Sequence, residues 1–159
     1  MGLVNGVPDY GLDPEASSSE VAEKLWPLVH AMCVNMVETG VHYILEGEML
    51  PKHAEELSGH YPGEVRACFL GYAEVTPEQK LREIREFGGH PNDWTADCPD
   101  AYVLGLVRDS IQFSRYLQSE CARLGIPYFD TSFAFLDTLD RAAQYLQGER
   151  PAQQGTAAA

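Results

Sequence analysis

The pattern of apolar and polar positions divides the chain into helical and strand-like segments. Over 17–38, apolar residues recur every three or four positions, which predicts an amphipathic helix with one buried face. Ser17 and Glu20 form an S-x-x-E capping box at its start, and Pro27 is expected to kink the helix or reset its start. Further helices are predicted over 51–58, 76–88 and 133–146, and from Asp97 or Pro99 to Leu124.

Three short runs of β-forming residues lie between these helices. They are VHYIL at 41–45, VRACFL at 65–70 and IPYF at 126–129. Strands that alternate with helices predict an α/β fold, here a short, mostly parallel sheet flanked by helices in three layers. A sheet of three strands would leave an apolar face or edge open, which indicates missing strands or a partner chain.

The 159 residues suit one domain with a real core. Residues 1–16 are rich in glycine, proline and aspartate and predict an irregular segment. We expect a single α/β domain over 17–147. The Gln-, Gly- and Ala-rich residues 148–159 predict a disordered tail.

Charge, apolar runs and cysteine content indicate which partners and which cell compartment to expect. The net charge of −13 disfavours nucleic acid and anionic membrane surfaces. No apolar run approaches the ~20 residues of a membrane span, and no signal peptide is evident, so we expect a cytoplasmic protein. The four cysteines predict free, mostly buried thiols in a reducing compartment.

Three segments together resemble P-loop kinases of the nucleoside and nucleotide kinase group. The first is an apolar strand ending in Glu46-Gly47, and the second is the strand at 66–70 followed by a basic helix over 76–85. The third is the strand at 126–129 followed by Asp130-Thr131-Ser132. The resemblance covers roughly 17–147. It departs from the family in one respect, because no G-x-x-x-x-G-K-[ST] loop occurs in the chain.

The resemblance implies a P-loop-kinase-like but incomplete fold and a phosphotransferase activity. Glu46 would be the catalytic or metal-side carboxylate, and Arg82 and Arg85 would stabilise the transferred phosphate. Asp130, Thr131 and Ser132 would lie beside the nucleotide base, with Mg²⁺ and ATP as cofactors. Because the phosphate cradle is missing, the chain could be a truncated piece, a remnant with a new binding role, or a different α/β fold.

Other residues become candidates by position. Glu48 follows the first predicted strand, and Trp94 could cover a substrate from the loop at 88–100. Arg108 and Arg115 lie seven apart on one helix face and could clamp a phosphate together with Arg82 and Arg85. Each has an ordinary alternative. Glu46 and Glu48 could be solvated loop acids, the arginines could form surface salt bridges, and Trp94 could simply pack its loop.

The segment after the third predicted strand also has a functional and an ordinary structural interpretation. Asp130, Thr131 and Ser132 could contact a ligand or could cap the last helix. His90 and Asn92 share the loop of Trp94, but their spacing matches no standard metal site.

Two hypotheses follow for the function. The first is a kinase-like phosphotransferase domain, truncated or degenerate, that acts on a small phosphorylated or hydroxyl-bearing molecule. The second is a non-catalytic interaction or dimerisation domain, in which a second copy or another chain covers the open sheet. The missing phosphate loop favours the second hypothesis, and the arginines favour the first.

Overall fold

The structure is a computed structural model that describes residues 13, 16–89, 91 and 93–148. The chain divides into two compact units, Met1–Arg66 and Ala67–Ala159. We call them unit 1 and unit 2 and describe each by itself. The irregular segment predicted over 1–16 and the tail predicted over 148–159 lie almost entirely outside the described residues. The single domain predicted over 17–147 stays a prediction.

The described residues of unit 1 form two helices that begin close to where the sequence pattern places them. Helix α1 spans Ser18–Glu38 and helix α2 spans Pro51–His60. The capping box is confirmed, because Ser17 Oγ accepts from the Glu20 N–H while the Glu20 carboxylate accepts from the Ser17 N–H. Pro27 lies inside α1 without ending it, since a proline removes a single backbone hydrogen bond from a helix of 21 residues.

The run at 41–45 is not a strand, so the prediction of a first strand there is wrong. Residues 41–46 have no regular structure, and Val41 and Ile44 are 50% and 85% exposed. A β-rich run becomes a strand only when a neighbouring strand takes up its backbone N–H and C=O groups. The described residues of unit 1 form no sheet in which it could pair.

The part of unit 2 that the structure describes forms two strands and three helices. In chain order they are β1 (Phe69–Gly71), α3 (Pro77–Phe87), α4 (Asp100–Leu124), β2 (Tyr128–Asp130) and α5 (Phe135–Gln147). The strands pair in parallel, with Phe69 opposite Tyr128 and Gly71 opposite Asp130. A mixed α/β structure with a parallel sheet is therefore confirmed. The described sheet has two short strands, however, rather than the three that were predicted.

Helix α4 lies on one face of this strand pair and helix α5 lies on the other. On one face, α4 contacts both strands, and the Tyr128 hydroxyl approaches Gly71. On the other face, α5 buries Phe129 to 4% exposure and holds the Arg141 guanidinium 5.8 Å from its ring centroid. Leu70 pairs with Phe129 and shares its face, yet it is 44% exposed. Helix α5 thus covers β2 and leaves β1 largely open on this face.

The core of unit 2 lies between α3, α4 and the segment that follows β1. Its buried members are aliphatic, and partly buried side chains surround them. The buried ones are Val75, Val103, Val107 and Ile111, and around them lie Tyr72, Leu81, Ile84 and Cys98. All four cysteines of the chain are free thiols, of which Cys33 and Cys121 are buried. None of the described helices is long and apolar enough to cross a membrane.

Two of the helix ends in unit 2 follow from local chemistry. Thr76 Oγ1 accepts the backbone N–H three residues later and caps α3, as predicted. Gly125 ends α4 at φ 69°, a left-handed conformation that favours glycine.

Helix α5 begins at Phe135 after Ala134, and no side chain caps it. The prediction that the 130–132 segment caps this helix is therefore wrong.

Candidate functional site

The carboxyl ends of β1 and β2 meet at one edge of the sheet, which we call the carboxyl edge. It comprises residues 72–76 after β1 and residues 130–134 at and after β2. In open α/β sheets, ligands bind beyond this end of the strands. The Asp130 carboxylate fixes the edge, because Oδ2 accepts from the Ala73 N–H at 2.9 Å and Oδ1 from the Ser132 N–H at 2.8 Å. Both oxygens of this predicted base-contacting residue are thus already hydrogen-bonded.

Thr131 and Ser132 also hold the backbone of the carboxyl edge in place. The Thr131 N–H and hydroxyl both donate to the Gly71 carbonyl, at 2.7 and 3.0 Å. Ser132 Oγ accepts from the Glu74 N–H at 3.1 Å. The two residues are only 7% and 3% exposed. Together with Asp130 they tie the exit of β2 to the exit of β1, and they present little surface to a ligand.

Two cations contact the segment that directly follows β1. The Arg115 Nε donates to the Ala73 carbonyl at 3.1 Å, and the residue is otherwise exposed. The Lys80 ammonium lies 4.7 Å from the centroid of the Tyr72 ring and pairs with Glu83 at 3.0 Å. Arg115 was predicted to bind phosphate. Lys80 was noted on a basic helix but was not among the predicted site residues. The terminal nitrogens of Arg115 make no hydrogen bond to a described residue.

A polar cluster beneath the carboxyl edge was missed by the sequence reasoning. Ser114 Oγ accepts from the Tyr72 N–H at 3.2 Å, and the hydroxyls of Ser114 and Tyr128 both crowd Gly71. The Tyr128 Oη is buried and has no hydrogen-bond partner among the described residues. Burial raises the pKa of this phenol well above its ordinary value. No motif marks these positions, because they come together only through packing.

Arg85 holds a loop rather than an open phosphate position. Its Nε and Nη2 donate to Asp100 Oδ1 at 3.1 and 2.9 Å. Its Nη1 donates to the Thr95 carbonyl at 2.8 Å, and Nη2 also reaches the Cys98 carbonyl at 2.6 Å. All of its described bonds therefore go to the segment between α3 and α4 or to the first residue of α4. A guanidinium engaged in this way is not available to a ligand unless the loop moves.

Arg82 and Arg108 lie on the exposed surfaces of α3 and α4. Arg108 Nη2 lies 3.9 Å from Glu78 Oε1, with both side chains more than half exposed. Arg82 makes no hydrogen bond or ion pair within the described part of the chain, so the surface salt bridge that was its ordinary alternative is absent there. An exposed pair such as Arg108–Glu78 contributes little stability.

Trp94 does not pack its loop, because it is 58% exposed. Asp93 organises the loop instead, accepting from the Thr95 N–H and hydroxyl at 2.9 and 2.7 Å and from the Gly89 N–H at 2.8 Å. These hydrogen bonds, that of the Thr95 hydroxyl above all, hold the pKa of the Asp93 carboxyl below its usual value. His90 and Asn92 lie outside the described residues.

Glu46 and Glu48 belong to unit 1. Glu48 Oε1 accepts from the Ser18 hydroxyl at 3.3 Å, while Glu46 is exposed and makes no hydrogen bond to a described residue. The structure thus places the two glutamates in one compact unit and all the predicted arginines in the other. Within the described residues, no group of three or more His, Cys, Asp or Glu side chains could hold a metal ion.

The carboxyl edge contains two carboxylates, Asp130 and Glu74. Backbone donors occupy both oxygens of Asp130, whereas Glu74 is exposed. Mg²⁺ takes carboxylate and phosphate oxygens that are free to coordinate. Arg115 presents unused donors beside the same fixed backbone, which suits an anion.

Comparison with known proteins adds no further constraint. No protein-family model, no curated protein and no solved structure matches this chain.

Proposed function

We propose that unit 2 is the remaining half of a phosphotransferase-like domain and binds a small phosphorylated molecule at its carboxyl edge. The observation that carries this proposal is the parallel pairing of β1 and β2, which brings both strand exits to the same edge beside Arg115. The resemblance of the chain to P-loop kinases supports the same placement. We also propose that the domain has the three-layer arrangement of P-loop kinases.

Arg115 is the residue we assign to the anion. Its Nε is anchored on the Ala73 carbonyl, which orients the guanidinium and leaves both terminal nitrogens able to donate. A guanidinium fork matches two phosphate oxygens at once. Asp130 and Ser132 would act indirectly, because they hold the backbone on which Arg115 is anchored. The proposal draws on neither Glu46 nor Glu48, and it assigns no chemical step to the chain alone.

The test is a thermal-shift experiment on the full chain with ATP, ADP, GTP and inorganic phosphate, each with and without Mg²⁺. Ligand at about 100 times its dissociation constant stabilises a protein by about 2.7 kcal/mol, which corresponds to a shift of several degrees. We expect a rise with at least one phosphorylated ligand and its loss in Arg115→Gln. Arg123→Gln is the matched control, because Arg123 lies on the same helix two turns later and bonds to Glu120.

No shift with any of these ligands at millimolar concentration, in a sample that circular dichroism shows to be folded, would overturn the proposal. An equal loss of the shift in Arg123→Gln would also count against it, because the effect would then be one of net charge.

A second candidate, an interaction domain, is favoured by one specific observation. The backbone groups of Phe69 and Gly71 point toward β2, so those of Leu70 point to the outer edge of β1. The Leu70 side chain is also 44% exposed beside the buried Phe129. An open edge with an apolar side chain is where another strand could add.

Light scattering coupled to size-exclusion chromatography separates this candidate from the first. We expect a second copy on β1 to give a concentration-dependent dimer that Leu70→Lys abolishes without loss of helix content. A monomer at all concentrations would exclude self-pairing.

A further inference from the structure

A buried histidine joins helices α1 and α2 of unit 1. The His53 side chain is 3% exposed and lies one turn into α2. Its Nδ1 accepts the Leu50 backbone N–H at 3.3 Å, so the imidazole satisfies one of the free donors at the start of this helix. A nitrogen that accepts a hydrogen bond carries no proton. The network therefore assigns the neutral tautomer with its proton on Nε2.

The other side of the ring meets α1. The His53 imidazole stacks on the Trp26 indole with ring centroids 4.3 Å apart and planes 2° from parallel. Its Nε2 faces Glu23 Oε2 at 3.5 Å but has no hydrogen-bond partner among the described residues. Glu23 is also paired with Lys52, and that hydrogen bond above all lowers the pKa of the Glu23 carboxyl. The carboxylate thus stays charged in mildly acidic solution.

Trp26 is in turn fixed by both helices. Its Nε1 donates to Glu56 Oε2 on α2 at 3.1 Å, and the His30 ring packs edge-on at 5.2 Å between centroids. His30 Nε2 lies 3.8 Å from the other oxygen of Glu56. The stack of Trp26 and His53 therefore connects α1 to α2 through an aromatic contact with a carboxylate at each end.

We infer that this Trp26–His53 stack is an acid-sensitive latch between α1 and α2, which holds while His53 is neutral and loosens when the imidazole takes a second proton. Protonation places an N–H on Nδ1 opposite the Leu50 N–H, so the cap of α2 is lost and two donors face each other. The device is independent of the function proposed for unit 2.

The groups that face His53 act in opposite directions. Burial, the largest effect, lowers the pKa of His53, and Lys52 acts in the same sense. Glu23 and Glu56 raise the pKa, but they do not outweigh burial. The folded pKa lies below the unfolded value of about 6.5. The stability contributed by neutral His53 is therefore complete above about pH 6.5 and is lost as the pH falls below it.

Trp26 fluorescence reports the latch directly. The chain has two tryptophans, so Trp94→Phe leaves Trp26 as the only one. An indole released from the stack is more exposed to water, which shifts its emission to longer wavelength. Between about pH 8 and about pH 5 we expect a reversible red shift in emission with a midpoint below about 6.5, together with a thermal midpoint several degrees lower at the acid end.

Two histidine variants in the Trp94→Phe background assign the transition. His53→Gln should abolish it, because an amide does not titrate, while His30→Gln should keep it, because His30 does not cap α2. A transition that survives His53→Gln, or one that only His30→Gln removes, would overturn the inference. The absence of any transition in the parent would overturn it as well.

A second measurement is decisive even if His53→Gln fails to fold. Nitrogen-15 NMR of the imidazole side chains distinguishes the two neutral tautomers and the cation. We expect the tautomer protonated on Nε2 at about pH 7.5. A ring protonated on Nδ1, or a charged ring at that pH, would refute the latch.

Discussion

Gly71 is the position in unit 2 where a single added methyl group should cause the greatest disruption. A Cβ at this residue would lie 2.8 Å from Ser114 Oγ and 3.0 Å from Ser114 Cβ, and it would collide with the Tyr128 hydroxyl. The neighbouring groups cannot withdraw easily. Ser114 Oγ is bonded to the Tyr72 N–H, and the Gly71 carbonyl accepts two hydrogen bonds from Thr131.

The magnitude follows from two opposing effects. Overpacking of a filled site costs about 1–3 kcal/mol. Replacing glycine by alanine also makes the unfolded chain less flexible, which returns about 0.4–1 kcal/mol. Taken at the middle of both ranges, Gly71→Ala should therefore lower the free energy of unfolding by about 1.3 kcal/mol. With an m-value of about 2 kcal/mol per molar urea, the unfolding midpoint should fall by about 0.6 M.

The assay is urea unfolding followed by circular dichroism, with Tyr128→Phe as the second arm of a double-mutant cycle. Tyr128→Phe alone should be neutral or slightly stabilising, because it removes a buried hydroxyl that has no described partner. In the double variant, part of the loss should be recovered, since one of the two colliding groups is gone. We expect a coupling energy of at least about 0.5 kcal/mol.

The reasoning is refuted if Gly71→Ala is neutral or stabilising. It also fails if the two substitutions are additive, because the Tyr128 hydroxyl would then not be the group that resists the methyl. Gly105→Ala is a suitable control. Gly105 lies within helix α4, and nothing within 4 Å would meet a Cβ there.

Three further predictions concern the contacts that organise unit 2. Asp130→Ala should lower the free energy of unfolding by about 2–4 kcal/mol, because two backbone donors lose a charged acceptor; urea unfolding measures this, and a loss below about 0.5 kcal/mol would contradict it. Arg85→Met should speed amide hydrogen exchange in residues 93–99, whereas the exposed Glu86→Gln should not. Thr76→Ala should cost about 0.5–2 kcal/mol by thermal unfolding through loss of the α3 cap, and Thr76→Ser should retain most of that stability.

The sequence predicted the helices well because the signals that mark where a helix starts and stops are local. Ser17 and Glu20 are three residues apart, Thr76 caps the turn that follows it, and Gly125 meets the backbone requirement of its own position. Each signal concerns hydrogen bonds within one turn of the chain. Such signals are present in the sequence before any tertiary contact forms.

Strands and site residues depend on distant partners, and there the sequence was a weaker guide. The run at 41–45 is as rich in β-forming residues as the runs that pair, but it has no neighbouring strand among the described residues of unit 1. Arg85 was predicted to bind phosphate because its type and spacing suit phosphate. In the structure, carbonyls 10 and 13 residues away occupy its donors.

The sequence by itself determined the helices, the acidic charge and the parallel α/β character of unit 2. Only the tertiary structure decided which polar side chains remain free to act. Asp130 and Ser132 bond to backbone groups 57 and 58 residues away, and His53 is buried against Trp26. The physical reason is that a polar group must find a partner once it is desolvated, and the folded chain, not the local sequence, supplies that partner.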